Sequence, residues 1–536
     1  MEAFAALIDA LVYTRSRNRK LELLADYLRT TPDPDRGWAL AGLTGGLDFP
    51  AVKAGTVRGL MMARVDPVLW QLSRDFVGDT AETASLLWPR PAEPPAPPPT
   101  VSEAVAALAA MTRATAPGEL AALLDRLDAD GRYALIKLAT GAMRIGISAR
   151  LAKVAFAQAF GVAIETVEEI WHGQSAPYSA LFAWAAHGGP APDHGDVPLP
   201  RPFMLSHPLE GSAVAATAAD FPRFAAEWKW DGIRVQVVHA GGETRLFSRG
   251  GDDVTAAFPE VAAALPSPMI LDGELMVRGS HQGGEEGGAA SFNALQQRLG
   301  RKSVSAALLR DYPAFVRLYD VLQVGDEDMR PFAWEQRRAR LEQIVPTLDG
   351  DRFDLSPLIE APSLDALAGL RAGARDAAIE GVMLKRRDAP YLAGRKAGLW
   401  FKWKRDPLIV DCVLMYAQRG SGKRSSFYSD FTFGCWNGDP DAGAELLPVG
   451  KAYFGFTDEE LKGLDRHVRQ HTVARFGPVR ETDRSLVLEV AFDSVHASKR
   501  HKSGLAMRFP RISRIRTDKP PHEADRIDTL RALVHD

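Results

Sequence analysis

Lysine side chains mostly lie in water and do no chemistry. Lys229 stands instead at the end of an apolar stretch, in "AAEWKWDGIRVQVV", between Trp228 and Trp230 and just ahead of Asp231-Gly232. An amine attacks phosphorus or carbon only when deprotonated, and a free lysine has a pKa of about 10.4. A nucleophilic lysine therefore needs burial or neighbouring positive charge. The two tryptophans offer a dry setting, and a metal ion would offer charge. The alternative is an ordinary surface-strand lysine before a β-turn, and K-W-D-G alone does not separate the two.

The rest of the chain does. Lys229 opens a K-x-D-G-x-R hexapeptide that ends at Arg234. "FSRGG" carries Arg249, "LDGELMV" carries Glu274 at a strand end, and "RLYDVL" carries Tyr319. "IEGVMLKR" carries Glu380 and Lys385, and "WFKWKRD" carries Lys402 and Lys404, which alternate onto one strand face. Nucleotidyl transfer needs this outfit: an amine to form a phosphoramide, an aromatic ring to stack on a base, carboxylates for a metal and a ribose, and cations around the transferring phosphate.

These groups are far apart in sequence, so several elements must position them. The 536 residues predict about three or four domains. Hydrophobic content of 46% and charged content of 25% suit a globular chain, and no apolar run reaches membrane-span length. The two cysteines, Cys412 and Cys435, exclude a disulfide framework and a four-cysteine zinc site and suit a reducing compartment. Residues 1–87 and 101–187 show helical spacing, as in "FAALIDALV" and "GELAALLDRL". "WPRPAEPPAPPPT" (88–100) reads as a stiff linker or surface loop, and 187–202, rich in Gly and Pro, marks a boundary. Short β-branched runs then alternate with helical patches to about residue 405, with a mobile loop expected at 279–291. Strands dominate 407–536 and predict a small β-barrel.

With these motifs in one order, the chain resembles the ATP-dependent DNA ligases of the cellular type. The resemblance spans essentially the whole chain and is strongest over 201–520. It implies a multidomain fold: an all-α DNA-binding domain over 1–200, an α+β nucleotidyltransferase (adenylation) domain over 201–405 and a C-terminal OB-fold β-barrel over 406–536. It implies ATP and Mg²⁺ (or Mn²⁺) as cofactors, nicked duplex DNA as substrate, and repair, replication or recombination as setting. By the same resemblance Lys229 is the adenylated residue and Glu227 meets the adenine amino group. Arg234 and Arg249 hold ribose and phosphate, Glu274 contacts the ribose and helps organise metal, and Tyr319 stacks on adenine where the family often has Phe. Glu380 binds the catalytic metal, Lys402 and Lys404 contact the α-phosphate, and Arg395 contacts the nucleotide or the nick phosphate. In "RFPRISRIRTDKP", Arg508, Asp518 and Lys519, with Arg511, match positions that orient the pyrophosphate. A swing of the barrel about "RDPL" (405–408) is expected between steps.

Net charge is −3, so the overall balance does not predict a polyanion partner, but its distribution does. Residues 499–519 hold eight Lys/Arg, including Lys499, Arg500 and Lys502, against one acid, Asp518. A Gly/Ser-rich stretch adds Arg419, Lys423 and Arg424. "GAMRIGISARLAK" pairs Arg144 with an expected helix start at Ser148, a phosphate-binding arrangement. The expected enzyme is a monomer that reads duplex shape rather than base sequence, working in the cytoplasm of a bacterium, nucleoid-associated. An mRNA-capping guanylyltransferase or RNA ligase shares the K-x-D-G chemistry and remains open from that motif alone; the helical N-terminal region favours DNA ligase. Two cysteines cannot build the zinc finger of an NAD-dependent ligase. A non-catalytic DNA clamp would need no paired carboxylates.

Overall fold

The computed structural model describes residues 1–536 except 15, 92–95, 142, 144, 194, 263, 264, 266, 280–287, 291, 302, 375–377, 421–425, 499, 500, 535 and 536. Most of the loop at 279–291 thus lies outside the described residues. The chain forms two compact units. One comprises Met1–Val162, Ser175–Gly189 and Pro407–His535; the other comprises Ala163–Gln174 and Pro190–Asp406. One crossing between them falls between Asp406 and Pro407. No helix among the described residues is long and apolar enough to cross a membrane.

The N-terminal part of the first unit is helical from Glu2–Tyr13 to Ser179–His187. Its apolar stripes meet in a core that includes Phe4, Leu24 and Phe156. Capping groups punctuate the helices: Thr100 and Glu103 form a reciprocal capping box at Val101–Ala110. The described proline-rich residues form neither helix nor strand and are pinned to the helices. The Met1 ammonium donates to Pro99 O at 2.8 Å, and Arg126 Nε donates to Pro97 O at 2.8 Å.

The second unit holds the predicted chemistry on two sheets. Strands β1 (Phe224–Trp230), β2 (Ile233–Ala240), β3 (Glu243–Ser248), β4 (Met269–Val277), β5 (Ala314–Val324), β6 (Ile379–Arg386) and β7 (Trp400–Lys404) carry it. In one sheet β1 lies beside β6 and β6 beside β7, with Leu358–Ile359 and His207–Pro208 at the edges. The other runs β3-β2-β4-β5, ends on Glu327–Asp328, and has Phe353–Leu355 parallel to β5. Alternating Val235, Val237, Leu271, Leu275, Val316 and Leu318 form its core. Gly273 is required where β4 meets β5: a Cβ there would lie 2.6 Å from Val316 Cγ1 and 2.8 Å from Arg317 O. Residues 163–174 belong with this unit through Glu169, whose carboxylate takes Arg201 at 2.6 Å and Arg330 at 2.8 Å.

The C-terminal part of the first unit is β-rich. Its central strand β8 (Leu408–Arg419) pairs with β9 (Tyr428–Trp436), β10 (Val479–Thr482) and β11 (Val487–Phe492), and β11 pairs with β12 (Arg511–Arg516). A helix, Asp458–Gln470, covers it and buries Leu461, Leu464 and Val468. Cys412 and Cys435 face each other across β8 and β9 as free thiols within this core.

Candidate active site

Lys229 lies on β1, one residue from its end, and its strand neighbours fix what it meets. It is opposite Gly381 of β6, which is in turn opposite Lys404 of β7. A register shift between Ile379 and Gly381 turns Glu380 into this row. Gly381 has φ +150°, and a Cβ on it would lie 2.3 Å from Trp403 O, so only glycine closes the row. The Lys229 ammonium donates to Glu380 Oε2 at 2.5 Å, and Lys404 Nζ lies 3.6 Å from the same oxygen. Gly232 lets the turn settle against β4, since a Cβ there would meet Leu275 O at 2.5 Å and Glu274 Cγ at 2.8 Å. The tryptophans do not supply the lysine's surroundings, because strand alternation sends them to the other face. Trp230 packs there with Met276 and Phe315 and donates to Ser356 Oγ at 3.0 Å. Charged neighbours surround Lys229 instead.

The two carboxylates hold opposite states. Burial alone would raise the Glu380 carboxyl, but the Lys229 charge and hydrogen bond, with Lys404 behind them, bring it down to about 2. Burial pushes Glu274 up to about 8; Lys229 and Arg234 pull it down, while Glu380 and Asp272 push it further up. One is an ionised partner of the amine, and the other is mostly protonated at neutral pH. Lys402 is lowered by burial and then by the cations around it, Arg395, Lys229, Lys404 and Arg249. Five positive groups from four separate stretches of chain therefore share one place, a setting for a highly charged anion.

A second cluster lies deeper on the same strands. Glu227 and Lys385, both almost fully buried, pair at 3.2 Å, with Arg338 3.9 Å from the carboxylate. Burial pushes Glu227 up and Lys385 down, and each charge opposes the other's shift. The Lys385 ammonium lies 4.3 Å from the Tyr319 ring centroid and 4.8 Å from that of Trp400. Arg234 is engaged within the protein. It grips Asp272 at 3.0 and 2.6 Å and donates to Met204 O at 2.6 Å and the Tyr391 hydroxyl at 3.1 Å. The Tyr391 hydroxyl itself donates to Asp272 at 2.7 Å.

Two family models match the chain: the ATP-dependent DNA ligase domain over residues 203–404 and the ATP-dependent DNA ligase C-terminal region over 424–519. A probable DNA ligase of Koribacter versatilis is 31% identical, across 98% of this chain and 95% of its own length. One from an Anaeromyxobacter species is 34% identical, across 98% and 96%. The chain belongs to the ATP-dependent DNA ligase family. A solved chain titled Pmar-Lig_Pre shares its fold with a TM-score of 0.58 at 15% identity, covering 96% of this chain and 99% of that one.

Within this ligase, the structure brings Lys229, Glu274, Glu380, Lys402, Lys404, Arg249 and Arg395 together, with Glu227 on the same strand as Lys229 and Tyr319 on β5 beside Lys385. Asp272, Lys385 and Tyr391 complete the cluster. Asp272 and Lys385 stand inside the motifs "LDGE" and "EGVMLK", which was the available signal for them; Tyr391 had none. Arg508, Asp518 and Lys519 lie in the other unit. Lys519 Nζ pairs with Asp411 at 2.7 Å, and Arg516 joins Asp411 at 3.2 Å to Asp518 at 2.9 Å. Arg511 pairs with Asp493 at 3.3 Å, and the Arg508 guanidinium lies 5.0 Å from the exposed Phe509 ring. Of the expected DNA contacts, Arg144, Lys423, Arg424, Lys499 and Arg500 lie outside the described residues. Arg419 sits 4.8 Å over the Phe76 ring, and Lys502 pairs with Glu445. Ser148 caps the helix Ala149–Phe160, accepting from Leu151 N.

Proposed function

We propose that this ligase seals nicks in duplex DNA through an AMP carried on Lys229. The observation that supports this most is the Lys229–Glu380 pair inside a group of four further cations. Lys229 Nζ attacks the α-phosphorus of ATP; an N–P bond forms, the bond to the bridging oxygen breaks, pyrophosphate leaves, and the amine loses its proton. The AMP then passes to the 5′-phosphate of a nick, freeing the lysine. The 3′-hydroxyl attacks that activated phosphate, and AMP leaves. Arg249, Arg395, Lys402 and Lys404 take the charge of the transferring phosphates. Glu227, paired with Lys385, meets the adenine edge, and Tyr319 offers its ring. Arg234 acts by holding β2 against Asp272 and Tyr391, so that Glu274 and the nucleotide pocket keep their places.

Glu274 and Glu380 offer the all-oxygen donors that Mg²⁺ prefers. Glu274 and Glu380 would hold the ion, which would supply positive charge to the α-phosphate during transfer. Arg508, Asp518 and Lys519 orient the pyrophosphate from an OB-fold spanning 406–536. The helical region 1–200 and the basic stretches at Arg144, Arg419, Lys423, Arg424, Lys499, Arg500 and Lys502 hold the DNA backbone on both sides of the nick in a monomeric enzyme whose adenylation domain spans 201–405.

The test is incubation with Mg²⁺ and α-labelled ATP or GTP, denaturation, and a chase with nicked duplex. Label from ATP that needs Lys229 and leaves on nicked DNA with a sealed strand is expected. Label from GTP alone would reassign the chemistry to capping. No label on a chain whose mass shows no AMP already attached would sink the role of Lys229.

A further inference from the structure

The C-terminal β region carries a donor group that nucleotidyl transfer does not use. His467 lies in the last turn of the helix Asp458–Gln470, and His471 follows it four residues later, on the same face. Their rings stack with centroids 4.2 Å apart and planes 14° apart. Asp483, just past β10, is tied to them twice. Its N–H donates to His471 O at 3.0 Å, and one carboxylate oxygen lies 2.6 Å from His471 Nδ1. The other oxygen accepts from Ser485 N at 3.1 Å and Ser485 Oγ at 2.5 Å, which fixes the carboxylate plane. One donor atom from each of the three residues lies within 4.8 Å of the others. His467 Nε2 is buried without a hydrogen-bond partner among the described residues, an exception that calls for an occupant.

We propose that His467, His471 and Asp483 form a binding site for a divalent first-row transition metal, zinc being the ion their donors suit. Two imidazoles and a carboxylate, with water in the fourth place, make a tetrahedral set for zinc. Donors in such a set lie about 3.4 Å apart, so the stacked rings must splay and Asp483 must ease away from His471. Both are side-chain rotations about a fixed backbone. Ser485 then supports the ligating carboxylate from behind. The nearby cations are neutralised: Arg469 pairs with Asp465 at 2.7 Å and Arg484 with Glu481 at 3.2 Å. Imidazole donors set the site apart from the all-carboxylate pair at Glu274 and Glu380, which suits Mg²⁺. Its effect is structural: the ion clips the end of the covering helix to the end of β10.

The full-length protein, stripped with chelator, is titrated with Zn²⁺ and with Co²⁺ in excess Mg²⁺, alongside His467→Gln and Asp483→Asn. The expected result is one tight zinc per chain, a tetrahedral cobalt spectrum, and a Tm that zinc raises. Each substitution weakens binding about tenfold or more and removes the Tm response. Asp483 is exposed, so its variant keeps the test valid if His467→Gln does not fold. Absence of zinc binding, or equal binding by folded variants, would overturn the proposal.

Discussion

Glu274→Gln should make the second unit more stable as pH rises, because ionisation of this carboxyl opposes the fold. Its pKa is raised from 4.5 to about 8. The folded state therefore binds the proton more tightly than the unfolded chain. Glu274's contribution is fully present below about pH 4.5 and is lost as pH climbs toward 8. At about 1.4 kcal/mol per pH unit, the whole interval corresponds to an upper limit of about 5 kcal/mol. The side chain is only half-buried, so solvent screening reduces this to about 2–3 kcal/mol. Glu380 titrates in the opposite sense, but between about 4.5 and 2, so it does not overlap the window above about pH 5. Glutamine keeps the shape and has no proton to lose. Hydrogen exchange of Met269–Val277, corrected for its intrinsic pH dependence, reads the local opening free energy of wild type and variant at about pH 5 and about pH 8.5. The expected difference between them grows in favour of glutamine by about 2–3 kcal/mol. Parallel behaviour at the two pH values would refute the assignment of a high pKa to Glu274.

Three other substitutions probe the frame around the lysine. Gly381→Ala forces a Cβ to 2.3 Å from Trp403 O at φ +150°, and should lower stability by about 2–4 kcal/mol in urea unfolding while suppressing labelling of Lys229. Lys385→Met leaves Glu227 buried beside only a distant Arg338, and should cost about 3–5 kcal/mol, with the KM for ATP rising more than kcat falls. Tyr391→Phe removes hydrogen bonds to Asp272 and Arg234, and should cost about 1–3 kcal/mol. If Arg234 positions rather than binds, the Phe variant slows labelling without altering the preference for ATP over GTP.

What was legible in the sequence was what lies within one strand or one turn. K-x-D-G-x-R sets its lysine and glycine three residues apart within six residues, and the alternation in "WFKWK" sends Lys402 and Lys404 to one face without help from the rest of the fold. The helices and strands were legible for the same reason, down to the cap at Ser148. The surroundings of Lys229 were not. Trp228 and Trp230 are adjacent in sequence, but the strand period that exposes the lysine removes them from it. Glu380 reaches the amine from 151 residues away, and only because a bulge turns it inward. The Glu227–Lys385 pair joins residues 158 apart, and Tyr391 meets Asp272 across 119. Such contacts depend on sheet order and register, which no local pattern encodes. Arg234 marks the boundary between the two kinds of information. Its place in the motif identified it as part of the site, but its role depends on Asp272, Met204 and Tyr391. Through those contacts, the arginine expected to grip the nucleotide also ties β2 to Asp272, Met204 and Tyr391.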